Sequence, residues 1–211
     1  MFQGWVGGLA LICSLMLWSP GVAQVNAPST GKARSSAHVY FLTGFMGIGS
    51  RLDVVAANVK QRGVPITMSS PSGWQSLGSA AIKGYRGEGL RSIVIVGYSA
   101  GGGAALDMAA QLNTANVPVE LLMIIDGSSG SISSNVRRLI NVYVPGGFGA
   151  AITRPSNFRG VIQNIPVKGE NVGHFTIIDA QQRQLLGYVL AATGGGRGSP
   201  RPASAPGEQS K

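Results

Sequence analysis

The chain reads as an α/β protein, a mostly parallel sheet with helices on both faces. Short apolar runs, among them HVYFL at His38–Leu42, SIVIVG at Ser92–Gly97 and VELLMII at Val119–Ile125, alternate with longer segments of helical character. SIVIVG is apolar without a break, as a strand buried on both faces of a parallel sheet needs to be. With 44% hydrophobic and only 12% charged residues, the composition argues against wholesale disorder. Glycine supplies 32 of the 211 residues, and each costs a helix interior about 1 kcal/mol against alanine, which argues against a coiled coil or simple bundle. The length suits one domain of ordinary size.

The elements follow in order. Strand His38–Leu42 ends at Thr43-Gly44. A helix is expected over Ser50–Arg62, with Ser50 able to cap it, Asp53 near its positive end and Gly63 stopping it. Val64–Ser69 reads as a strand and Trp74–Tyr85 as a helix. Strand Ser92–Gly97 leads into helix Gly101–Leu112. Val119–Ile125, Leu139–Val144 and Val161–Val167 complete the strands, and a helix over Ala180–Ala191 closes the domain. The folded part is expected over 36–192. In such sheets the chemistry gathers at the carboxyl ends of the strands.

Both ends of the chain read differently. Val6–Trp18 is an almost unbroken apolar run, too short to span a hydrocarbon core of about 30 Å comfortably. Small residues follow and offer cleavage after Ala23 or after Ala27, so residues 1–27 read as a signal peptide and the protein as secreted or periplasmic. No lysine or arginine precedes the run, and the competing reading is a retained anchor or buried N-terminal helix. Cys13, the single cysteine, lies in this segment, and a mature chain without it has no thiol for a disulfide, a metal site or a nucleophile. Ile12 before it is too bulky for a lipoprotein signal. Residues 193–211, rich in Gly, Pro and Ser, read as a flexible tail, so the mature form is expected to carry no transmembrane span.

Seventeen lysines and arginines against eight acids give a net charge of +9. They are scattered, with Arg137-Arg138 the one adjacent pair, whereas nucleic-acid readers concentrate their charge. A general attraction to anionic surfaces is expected rather than a specific nucleic acid.

The most informative segment is Gly97-Tyr98-Ser99-Ala100-Gly101, a G-x-S-x-G between a buried strand and a helix. A serine on that sharp turn projects its Oγ out of the sheet, and the helix N-terminus behind it favours developing negative charge. The blander reading is a glycine-eased turn with a capping serine. A nucleophilic serine needs a base, and only His38 and His174 exist. His38 opens the first strand, at the wrong end of the sheet. His174 lies in a loop after a late strand, on the side expected for Ser99. Among the acids, Asp53 and Asp107 fall within helices facing solvent, and Asp179 fits a capping box at the start of the last helix. Asp126 ends VELLMII at a carboxyl end and is the candidate to orient His174, an Asx-turn being the alternative. Ala100 would supply one N–H of an oxyanion hole, and Phe45 or, next, Met46 the other.

At these residues the chain resembles the α/β-hydrolase superfamily: FLTGFMG in the first loop, VGYSAGGG at the elbow, IIDGSS after the next strand and NVGHF near the end. An acid on the strand directly after the nucleophile is similar to the thioesterase branch. The resemblance implies a Ser99–His174–Asp126 triad that cleaves an ester or thioester through an acyl-enzyme, with no cofactor and no metal. Thr43-Gly44 stands where the family commonly has His-Gly. About a dozen residues separate Asp126 from the next strand, too few for a helical lid, so an open cleft is expected. It would admit a small-molecule or lipid-like ester.

Two rival readings use the same residues. Thr43-Gly44-Phe45-Met46-Gly47-Ile48-Gly49 resembles the glycine-rich loop of short-chain dehydrogenases but is one residue short, and none of the five tyrosines has a lysine four residues on. A non-catalytic secreted binding protein on the same scaffold is the other.

Overall fold

The computed structural model describes residues 36–45, 51–128 and 130–194. The expected signal peptide with Cys13, the cap Ser50, the oxyanion candidate Met46 and the tail beyond Gly194 lie outside the described residues.

Six strands form one sheet, every pair parallel: β1 (Ala37–Leu42), β2 (Ile66–Ser69), β3 (Ser92–Tyr98), β4 (Leu121–Ile125), β5 (Arg138–Tyr143) and β6 (Val161–Pro166), in the order β2-β1-β3-β4-β5-β6. This order differs from the 3-2-1-4-5-6 arrangement of dinucleotide-binding Rossmann sheets. Four α-helices accompany them among the described residues: α1 (Leu52–Gln61), α2 (Trp74–Gly87), α3 (Ala100–Thr114) and α4 (Ile177–Ala192), with a 3₁₀ turn at Pro71–Gly73 leading into α2. None is long and apolar enough to cross a membrane.

Strand alternation divides the core in two. Val39, Phe41, Val94, Val96, Met123 and Ile125 face α1 and α4, while Leu42, Ile93, Ile95, Leu122 and Ile124 face α2 and α3. Nearly all are fully buried, and each such side chain contributes about 1.5–3 kcal/mol through water exclusion. The connections 126–137 and 144–160 contain no helix among their described residues. Their buried side chains Ile132, Ile152 and Phe158 fill the α2/α3 side of the core, so irregular chain does the work of a covering helix. No lid element therefore stands between β4 and β5 among the described residues.

The boundaries differ from expectation where side chains intervene. Helix α1 starts at Leu52, and its cap position is Arg51 in a left-handed conformation (φ 55°). Strand β2 starts after Pro65, which has no N–H to donate; its carbonyl accepts from Val39 N at 3.0 Å. Val119 makes only an isolated bridge with Val136 before β4 begins. Helix α4 begins at Ile177, three residues before Ala180, because Ile177 and Ile178 are both fully buried. Asp179 is thus inside the first turn rather than capping it, and pairs with Arg51 of the α1 cap at 2.8 Å.

Candidate active site

The end of β3 makes a turn that few residues tolerate. Ser99 has φ 55° and ψ −122°, and non-glycine residues reach such conformations only when their surroundings hold them there. A Cβ at Gly97 would overlap the Gly101 carbonyl and approach the Ala105 methyl at 2.8 Å. A Cβ at Gly101 would strike the carbonyl oxygens of Leu42 and Thr43. Gly97 lets α3 close onto β3, and Gly101 lets the first turn of α3 press directly on the end of β1.

Asp126 follows β4, also at positive φ (41°), and is completely buried. Its Oδ1 accepts from the backbone N–H groups of Val144 and Gly149, each at 3.0 Å, and its Oδ2 accepts from His174 Nδ1 at 2.7 Å. Three donors offset the cost of burying the carboxylate. A carboxylate acceptor fixes the tautomer: Nδ1 carries the proton, which leaves the Nε2 lone pair for Ser99 Oγ, 3.0 Å away. Three strand ends thus deliver one relay, with β3 contributing Ser99, β4 contributing Asp126 and the β6–α4 loop contributing His174.

The imidazole is held from several sides. Tyr98 stacks on it at 4.9 Å between ring centres and donates its hydroxyl to the His174 carbonyl at 2.9 Å. Phe148 lies against it at 4.3 Å and Phe175 meets it edge-on at 5.1 Å. Thr176 ties the loop from within, its Oγ1 accepting from Gly173 N at 2.9 Å and donating to the Asn171 carbonyl at 2.8 Å. The His174 side chain keeps 10% of its surface, so the relay is sheltered yet open to solvent on one side.

The remaining sequence candidates sit elsewhere. His38 is at the opposite end of the sheet, with Nε2 2.9 Å from Thr67 Oγ1 and its ring stacked on Tyr40 at 4.4 Å; burial pulls its pKa below the ordinary value. Asp53 and Asp107 are exposed. Among the described residues no group of three His, Cys, Asp or Glu could hold a metal ion. The contributions of Tyr98, Val144, Gly149 and Thr176 have no motif of their own, although Tyr98 lies inside GYSAG; Phe148 is legible in the sequence as an apolar residue near the cleft.

Among the described residues, three of the four large apolar side chains that protrude, Phe45 (73% exposed), Phe148 (75%) and Phe175 (67%), follow the carboxyl ends of β1, β5 and β6. A cavity of about 370 Å³ lined by Val144, Pro145, Val167, Lys168, Gly169 and Val172 opens beside the acid's donor Val144.

No protein-family model matches the chain, and no curated protein sequence does either. Solved structures do. The type II thioesterase BorB from the borrelidin biosynthetic cluster superposes with a TM-score of 0.53 at 12% identity, over 74% of this chain and 91% of its own. A hydrolase of the alpha/beta superfamily from Xanthomonas campestris pv. campestris gives 0.50 at 13% identity, over 73% of this chain and 98% of its own. Identities this low speak to architecture alone. With its all-parallel sheet and these neighbours, the chain has a compact α/β-hydrolase fold.

Proposed function

We propose that the protein is a serine hydrolase that cleaves an ester or thioester through an acyl-enzyme. The observation that carries this reading is the continuous relay from Ser99 Oγ through His174 to the buried Asp126, at 3.0 and 2.7 Å. Ser99 Oγ attacks the carbonyl carbon as its proton passes to His174 Nε2, and Asp126 stabilises the imidazolium that forms. The oxyanion meets the Ala100 N–H and a second N–H from the first loop, that of Phe45 or Met46. His174 then protonates the departing alcohol or thiol. Water attacks the acyl-enzyme, giving its proton to His174, and the acid leaves as Ser99 regains its own. The protruding phenylalanines Phe45, Phe148 and Phe175 favour a small-molecule or lipid-like substrate with an apolar acyl group. The apolar run Val6–Trp18 supports a secreted or periplasmic place of action.

Treatment with a reactive organophosphonate followed by intact-mass measurement tests the mechanism. One adduct is expected, absent from Ser99→Ala, forming more slowly as the medium is acidified because protonated imidazole cannot accept the serine proton. Folded protein that takes up no adduct, or an adduct that survives in Ser99→Ala, would overturn it. The same spectrum of exported protein is expected to lack the first 23 or 27 residues.

A further inference from the structure

Asn141 and Asn164 face each other across β5 and β6, in register, in the middle of the two strands. Asn141 is buried; its Nδ2 donates to the Ala150 carbonyl at 2.8 Å and to Asn164 Oδ1 at 2.9 Å. Asn164 reads the backbone of Ile152 at both its polar atoms, Oδ1 accepting from Ile152 N at 2.8 Å and Nδ2 donating to Ile152 O at 3.0 Å. The two amides thus grip residues 150–152 as a neighbouring strand would. Asn141 Oδ1 is buried with no hydrogen-bond partner, a desolvation cost that the fold carries at this amide.

The gripped segment leads straight to the candidate active site. Gly149, one residue before Ala150, donates to Asp126 Oδ1, and it passes so close that a Cβ there would lie 2.9 Å from the same oxygen. Phe148, one residue further, packs on the His174 ring.

We propose that Asn141 and Asn164 are positioning residues: an amide clasp that pins the 144–160 segment and thereby fixes the orientation of the Asp126 carboxylate and the His174 ring. The inference rests on the serine-hydrolase reading. With the clasp open, Gly149 withdraws from Oδ1, the carboxylate gains rotational freedom, and its Oδ2 no longer holds Nδ1–H in line.

Phosphonate labelling of Ser99 provides the test. Asn164→Ala, at the partly exposed edge strand, is expected to label roughly ten- to a hundredfold more slowly than the parent, in keeping with the sensitivity of such chemistry to misplacement of about 1 Å. Its rate–pH curve is expected to move to lower pH, because a loosened carboxylate stabilises imidazolium less. In an Asp126→Asn background the same substitution is expected to add nothing, since the clasp acts through that carboxylate. Asn164→Asp, isosteric but without the donor to Ile152 O, serves if the alanine variant does not fold. Parent-like labelling, a slower rate with an unmoved pH curve, an undiminished effect in Asp126→Asn, or failure of both variants to fold would each overturn the positioning role. A parent protein that itself takes up no adduct would instead overturn the hydrolase reading.

Discussion

At Gly97 and Gly101 the hydrogens that replace side chains let three backbone segments converge at Ser99. A methyl group at 101 would have to displace the end of β1, because the atoms it meets are the carbonyls of Leu42 and Thr43. Gly101→Ala is therefore expected to cost roughly 1–3 kcal/mol and to slow phosphonate labelling at least about tenfold. Gly103, two residues on in the same helix, has open space around its Cβ position. Gly103→Ala is expected to stabilise by up to about 1 kcal/mol and to leave labelling intact. Urea unfolding and labelling rates check both, and a Gly101→Ala protein that labels like the parent would refute the close-packing argument. This scale also marks how far the sequence can be read. Ser99 announces itself through local spacing, His174 through the scarcity of histidine, and Asp126 through its place at a strand end. Gly149, Val144 and Thr176 act through backbone N–H groups or single hydroxyls, which leave no pattern behind. The second oxyanion donor stays open between Phe45 and Met46, since backbone direction is not encoded in residue type.

Elements were legible to within a few residues wherever apolar periodicity ran to their ends, as in β1 and β3. They were misread where a short-range signal competed with burial. The D-A-Q-Q pattern at Asp179 suggests a cap, yet burial of Ile177 and Ile178 carries the start of α4 upstream and leaves Asp179 to pair with Arg51. The two assignments predict different energies. A capping aspartate would cost about 1 kcal/mol on replacement by alanine, at any ionic strength. A pair this exposed, 59% and 47% by side chain, is worth a few tenths of a kcal/mol, about what exposed ion pairs contribute. Asp179→Ala is accordingly expected to lower stability only slightly, and the loss should vanish in about 1 M salt. Denaturation at low and high salt measures it, and a salt-independent cost near the capping value would restore the cap. The 144–160 segment was the least legible part of the chain. It has no period, and its conformation is set by long-range contacts to Asn141, Asn164 and Asp126.

For the molecule as a whole, the end of the sheet away from Ser99 contributes to stability against pH at both extremes. Burial holds the pKa of His38 below 6.5, so the unfolded chain takes up a proton that the folded chain refuses. Stability is expected to fall as pH drops below 6.5 towards the lower native value. Tyr40 shows the opposite displacement: burial first, and the charge of Glu88 second, push it from 10.0 up to about 12. The unfolded chain then ionises while the folded one does not, and stability is expected to fall again between pH 10 and about 12. Melting temperatures across pH should show a plateau between two declining limbs. His38→Gln should flatten the acid limb and Tyr40→Phe the alkaline one. A limb unchanged by its variant would assign that limb to other groups.

The strand order also has a consequence in time. From β3 outward the sheet adds β4, β5 and β6 in the order in which the chain is made, and Ser99 precedes His174 by 75 positions. A chain emerging amino terminus first completes its elbow long before its imidazole exists. On the proposed serine-hydrolase reading, Ser99 is therefore chemically mute through most of synthesis, and nothing short of a chain finished through the β6–α4 loop can awaken it.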